Sequence, residues 1–205
     1  MKIQIVVACC AVFLCQNLAS GFFWQGTRKP GSSQANAKGT KAKNENPAFS
    51  LAEMEYFERF SNASRDLFEF TPADQTDLDR YTDMVTINYY RKTSDSDALA
   101  AVANSVLQNY QANKARILGT KSVPRTKEKP AEHLIVVIFS RPDFTEASFT
   151  RFRMHDGMGT SIVYSRRAYG GNAREEVSAW LKTNGPETEK TLMQWDEMPP
   201  TPATE

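Results

Sequence analysis

The chain has 205 residues, 40% of them hydrophobic and 24% charged, and its formal net charge is +1. That length and apolar share suit one buried core with extensions at either end. Near-neutrality excludes a dedicated nucleic-acid binder, which needs a basic excess to meet phosphate, so no nucleic-acid partner is expected.

Met1-Lys2 followed by the apolar run Ile3 to Cys15 has the charged start and hydrophobic middle of a secretory signal peptide. Residues 1–21 are therefore expected to be removed near Ala19-Ser20-Gly21, leaving a secreted or periplasmic protein that touches the membrane only during export. A retained membrane anchor is the alternative, because Phe22, Phe23 and Trp24 prolong the apolar stretch. Cys9, Cys10 and Cys15 are all the cysteines, and all fall inside this segment, so the exported domain must hold together without disulfides. Residues 22–49 carry Arg28, Lys29, Lys38, Lys41 and Lys43 against Glu45, among Gly, Ser, Ala, Asn and Thr with no apolar periodicity. This composition reads as a disordered basic linker.

Ser50-Leu-Ala-Glu53 matches a capping box, with Leu51, Met54, Phe57 and Phe60 at helical spacing behind it, and predicts a first helix. Asn62-Ala63-Ser64 fits a glycosylation acceptor, relevant only in a eukaryotic source. Thr71-Pro72 breaks the helical pattern, and Met84 to Tyr90 then alternates as a strand does. Thr93 to Asp97 supplies capping residues for a second helix whose Leu99, Val102, Ala103, Val106 and Tyr110 form one apolar face. Lys121 to Pro130 is polar, basic and bounded by prolines, either an edge strand with a loop or a loop alone.

Glu132 to Ser140 is an unbroken apolar run rich in β-branched residues, expected near the centre of a sheet and covered on both faces. Ala147 to Met154 and Thr160 to Arg167 form a hairpin about Asp156-Gly157, with Gly159 leaving the register open. Strand alternation puts Phe152 and Met154 on one face and Arg151 and Arg153 on the other. Asn172 to Glu175 starts a last helix carrying Val177, Trp180 and Leu181, and Asn184-Gly185-Pro186 is expected to stop it. Leu192 and Trp195 then pack back on the domain, which spans residues 50–195, and residues 196–205 form a flexible proline-rich tail.

Chemistry-bearing motifs are sparse. The sequence contains no glycine-rich phosphate loop, nucleophile elbow, paired-histidine zinc helix or dinucleotide fingerprint. His133 and His155 are the only imidazoles, and neither has a nucleophile at motif spacing. Asp74, Asp77, Asp79 and Asp83 form an acidic cluster without the frame of an EF-hand loop, so it reads as solvated surface, and neither a metal nor a cofactor is expected. Arg151, Arg153, Arg166 and Arg167, with Arg141 beside them, fall on the hairpin and are the candidate anion-binding residues, because guanidinium forks suit carboxylate or phosphate. Alternation separates Arg166 from Arg167, and the competing reading is that these arginines guard a sheet edge and pair with local acids.

The element order from Asp83 to Thr183, namely strand, helix, short basic segment, apolar strand, hairpin and closing helix, resembles the PsbP-like α/β/α sandwich family. That family includes the extrinsic subunit of the oxygen-evolving complex and many small exported bacterial proteins. The resemblance implies a helper role, and with no diagnostic motif it carries over no functional residue. A cystatin-like or nuclear-transport-factor-like helix on a curved sheet is the rival fold. The fold expected is α+β: a single domain with an antiparallel sheet of about four to six strands and helices packed on it. The expected function is an exported, non-enzymatic binding or accessory module with a protein or anionic partner. Two alternatives stand beside it: a small hydrolase or ligand-pocket protein using His133 or His155, and a structural component of an envelope or matrix.

Overall fold

The structure, a computed structural model, describes residues 46–62 and 66–199. The expected signal peptide, all but the last residues of the linker, Ala63 and Ser64 of the glycosylation acceptor and the end of the tail lie outside the described residues. Strands β1 (Phe49–Leu51), β2 (Met54–Ser61), β3 (Leu67–Thr71) and β4 (Asp83–Tyr90) come first, followed by helix α1 (Ser96–Ala112). Strands β5 (Arg116–Val123), β6 (Glu132–Ser140), β7 (Phe144–His155) and β8 (Met158–Tyr169) lead to helix α2 (Ala173–Gln194). All eight strands join one antiparallel sheet in the order β1-β2-β3-β4-β8-β7-β6-β5. The mixture of helix and sheet is as expected, but a sheet of four to six strands is corrected to eight. No helix among the described residues is long and apolar enough to cross a membrane.

Strands β1 and β2 occupy the segment expected to be the first helix, and β3 follows it. Ser50 to Glu53, the apparent capping box, is instead part of a hairpin in which Leu51 faces Met54, with Ala52 and Glu53 at φ 51° and 63°. Such a left-handed pair favours Asn-Gly and disfavours residues with a Cβ by roughly 1–2 kcal/mol each, so nothing in Ala-Glu announces the turn. Burial offsets that cost: Phe49 and Tyr56 stack at 5.4 Å, and Phe49 lies 4.8 Å from Trp195 beyond α2. A helix over the same residues would have left β3, with its buried Leu67, Phe68 and Phe70, unpaired between β4 and solvent.

Hairpin β7–β8 is likewise joined by two residues, Asp156 and Gly157 at φ 49° and 75°, with His155 facing Met158. That register settles the parity of every side chain on both strands. Leu134, Val136, Ile138, Ala147, Phe149, Ile162 and Tyr164 face α2 in one apolar cluster, which continues across to Phe49, Tyr56 and Phe70. Ile135, Val137, Phe139 and Phe152 face α1, where Leu99, Ala103, Val106 and Tyr110 cover them. β6 is thus buried on both faces as expected, yet it lies next to the edge, because β5 intervenes only on its far side and β4, β8 and β7 occupy the middle.

The last helix does not stop at Pro186. It runs through the proline to Gln194. An interior proline costs a helix about 3 kcal/mol, since it removes one hydrogen bond and crowds the preceding turn. Continuing past it buries Leu192 and delivers Trp195 to Phe49, each worth roughly 1.5–3 kcal/mol or more, so the packing wins. Residues 196–199 of the expected tail stay with the domain, with Met198 packed on the core.

Val137 has no exposed surface. Val137→Asp would bury an unpaired carboxylate between β6 and α1, at a cost of several kcal/mol that approaches a whole domain's stability. Loss of cooperative thermal unfolding and of soluble yield is expected, and a variant melting within a few degrees of the parent would contradict this account of the core.

Candidate functional site

Each hairpin arginine sits where strand parity sends it, and each meets an acid of this chain. Arg151, Arg153 and Arg166 project to the α2 side, and Arg167 to the α1 side. Arg151 is 2% exposed; its Nε and Nη2 donate to the two carboxylate oxygens of Glu132 at 2.8 and 3.0 Å, while Nη1 donates to the carbonyls of Leu192 and Trp195 at 2.9 and 2.7 Å. These carbonyls end α2 and lack partners within the helix, so the guanidinium both neutralises Glu132 and caps the helix against the sheet. Arg153 pairs with Asp196 and with the Trp195 carbonyl. Arg166 donates to Asp83 at 2.6 Å beneath the Trp180 ring. Arg167 donates to Glu146 at 2.7 Å and to the Tyr81 hydroxyl at 2.7 Å, sandwiched between the rings of Tyr81 and Phe144, both 4.0 Å away. Arg141 donates to the Asn113 carbonyl after α1.

An external anion at any of these four positions would have to displace a carboxylate already in place. The phenols beside them are equally committed. Tyr164 donates to Asp83 at 2.7 Å, and burial first, then the Asp83 charge, push its pKa well above the ordinary value. Tyr56 is raised for the same first cause. Both stay protonated as hydrogen-bonding and packing groups.

The histidines are not drawn together with acids and nucleophiles. His133 Nδ1 lies 2.9 Å from Ser122 Oγ across the β5–β6 pair, and desolvation holds its pKa below the usual imidazole value. Its only polar side-chain contact among the described residues is that serine, with no acid to orient the ring as a triad requires. His155 Nε2 lies 3.5 Å from Asp156, on the opposite face of the sheet from His133. Asp77 caps the Asp79 amide and Asp83 faces inward to Arg166, so the acidic run does not converge.

Hollows on the described surface include two of very different size. One, of about 60 Å³, lies between the β1–β2 hairpin and α2 over Tyr56 and Tyr164, far below the roughly 300–1,000 Å³ of a small-molecule site. The other, about 560 Å³, is an open groove between the start of α1, the β5–β6 loop and the β7–β8 turn. Its Arg125, Lys127 and Lys129 are balanced by Asp95, Glu128 and Asp156, so it presents no net charge to a ligand.

β5 is one of the two open edges of the sheet. β5 ends the sheet, its residues are exposed apart from half-buried Ile117, and its outer backbone groups have no strand partner among the described residues. Arg116 and Lys121 point toward the α2 side, and the pairing slips at a bulge between Ile117 and Gly119. Leu118 and Val123 are each 39% exposed. The sequence offered this strand only as one of two readings of Lys121 to Pro130; Ile117, Thr120 and Val123 are the β-favouring residues that signal it.

No family model matches the chain, and no curated protein matches it. Among solved structures, the Ran-binding protein Mog1p of Saccharomyces cerevisiae is similar over 69% of this chain and 90% of its own, at 11% identity and a TM-score of 0.35. Human STARD10 is similar over 68% of this chain and 74% of its own, at 8% identity and a TM-score of 0.28. TM-scores this low do not establish a shared fold.

If Arg151 anchors α2 to the sheet, Arg151→Leu leaves Glu132 and two helix-end carbonyls without their donor and should cost about 3–5 kcal/mol. The double change Arg151→Leu with Glu132→Leu should recover part of that loss. Chemical denaturation reads both, and a single-variant loss below about 0.5 kcal/mol, the range of ordinary surface changes, would contradict the anchoring role.

Proposed function

We propose that this protein is an exported, non-enzymatic binding module that takes an extended, acidic segment of a partner protein as an added strand beside β5. The observation that carries the reading is the open β5 edge, eight residues long and flanked by cationic side chains. An unpaired strand edge offers alternating N–H and C=O groups to any extended chain, and its side chains decide which chain is accepted. Arg116, Lys121 and Arg125 repel basic segments and attract acidic ones, so the charges that deter indiscriminate pairing also select a partner. Leu118 and Val123 supply apolar contact within the same strip.

Export rests on the apolar run Ile3 to Cys15 behind Lys2. The non-enzymatic part is supported by the closed pairing of the hairpin arginines and by the separation of His133 from His155. A strand-addition module needs a rigid sheet behind its edge, and β6, buried on both faces, supplies one.

The test is a titration with a peptide of alternating glutamate and valine matched in length to β5, followed by amide shifts in the nuclear magnetic resonance spectrum. Shifts concentrated along Arg116 to Val123 are expected, fading as salt shortens the Debye length toward about 3 Å at 1 M. Arg116→Glu with Lys121→Glu should weaken this peptide about tenfold, or about 1.4 kcal/mol, and favour its lysine counterpart. Equal response to both peptides, or shifts confined to the hairpin arginines, would overturn the reading.

A further inference from the structure

We infer that the acidic partner of β5 is the β1–β2 edge of a second copy of this chain, so that molecules join head to tail along the sheet. The inference rests on the proposed role of β5 and names what fills it. The two ends of the sheet carry opposite charge. At one end stand Glu53 in the β1–β2 turn and Glu55 and Glu58 on β2, none with an ion pair inside the described part of the molecule, while Arg59, the one cation of β2, donates to the Thr71 hydroxyl and to the carbonyls of Pro72 and Ala73. At the other stand Arg116 and Lys121 on β5, followed by Arg125, Lys127 and Lys129 in the exposed loop beyond it, with Glu128 the one acid among them. Lys121 alone of these five cations has a carboxylate at ion-pair distance among the described residues, Glu189 at 3.2 Å, and both groups remain solvent-accessible.

Apolar exposure follows the same division. Among the described residues the exposed large hydrophobic side chains are Met54, Leu118 and Val123, each 39% exposed. Met54 lies on the acidic edge, and Leu118 and Val123 lie on the basic one. Neither β1 nor β5 has a further strand outside it among the described residues, so each edge offers what the other lacks: backbone groups, an apolar contact and the opposite charge.

Symmetric pairing is disfavoured by the same charges. A β5 edge facing its own copy sets Arg116 and Lys121 against a second Arg116 and Lys121, and a β1–β2 edge facing its own copy sets Glu53 and Glu55 against themselves. Like charges across a strand pair are destabilising and opposite ones favourable, which leaves the head-to-tail contact as the complementary arrangement. That contact is heterologous, so it closes into a ring or continues as a filament according to the rotation between copies. β1 has only three residues, which keeps the shared ladder short and the association dependent on concentration and salt.

Sedimentation velocity of the purified full chain, at low salt and over a wide concentration series, tests this. The expected result is a mean mass that rises with concentration and returns to monomer at 1 M salt. Two charge-reversed variants, Glu53→Lys with Glu55→Lys and Arg116→Glu with Lys121→Glu, should each be monomeric alone while keeping the parental melting curve, because all four side chains are exposed. Mixed in equal amounts they should assemble again, since each then offers the edge the other needs. A monomeric wild type at every concentration overturns the inference, as does self-association that survives in either variant alone or fails to return in the mixture. If the wild type stays monomeric but binds the glutamate–valine peptide at β5, the second-copy inference falls and the strand-addition reading stands. If the peptide also fails to bind, both fall.

Discussion

A sheet covered on both faces leaves its polar side chains without water, so each must find a partner inside the protein or destabilise it by more than a hydrogen bond is worth. Hairpin β7–β8 is placed in that position by α1 on one side and α2 on the other, and it carries an unusual load of polar groups. The result is a set of closed pairs. Arg151 holds Glu132 and the end of α2, Arg167 holds Glu146 and Tyr81, and Asp83 accepts from both Tyr164 and Arg166. Tyr110 of α1 shares a hydrogen bond with Thr150, and Ser148 with Ser165 and Glu146. These pairs need not be worth much relative to a wholly apolar core, but breaking one strands a buried charge, which fixes the register of the strands that carry them.

That closure bears on function. Groups used up in holding the sheet together are not available to hold an anion or a reacting atom, and the small hollow over Tyr56 and Tyr164 is too tight for most ligands. At the ends of the sheet, backbone groups, charges and single hydrophobic side chains stand exposed together. The proposed strand addition draws on these groups, with charge selecting the partner.

The sequence showed β6, β7 and β8 as strands but placed β6 at the centre of a sheet in which it lies next to the edge, and it hid the β1–β2 end. Residues Glu132 to Ser140, the turn at Asp156-Gly157, the opposite facing of Arg166 and Arg167 and the apolar face of α1 were all legible, because strand and helix periods are written in side chains that pack locally. The β1–β2 hairpin was not. Leu51, Met54, Phe57 and Phe60 fall at helical spacing by chance, and the turn uses Ala52 and Glu53 where Asn or Gly would have marked it. What decided the matter was distant: Trp195 and Phe70 closing around Phe49, contacts no local pattern can report. Pro186 misled for the same reason, since only Leu192 and Trp195 beyond it show why the helix continues. Among the candidate site residues, parity told which face each arginine takes, but the acid that each one meets comes from a strand or loop remote in sequence.

The proposed strand addition requires β5 to be an open edge of the sheet, and amide hydrogen exchange under native conditions tests that most directly. Amides of β6, β7 and β8 should exchange only through global unfolding, while along Arg116 to Val123 slow and fast amides should alternate, the fast ones being those that point away from β6. Uniform protection along β5 in a dilute, monomeric sample would show that the edge is already covered and would contradict the account.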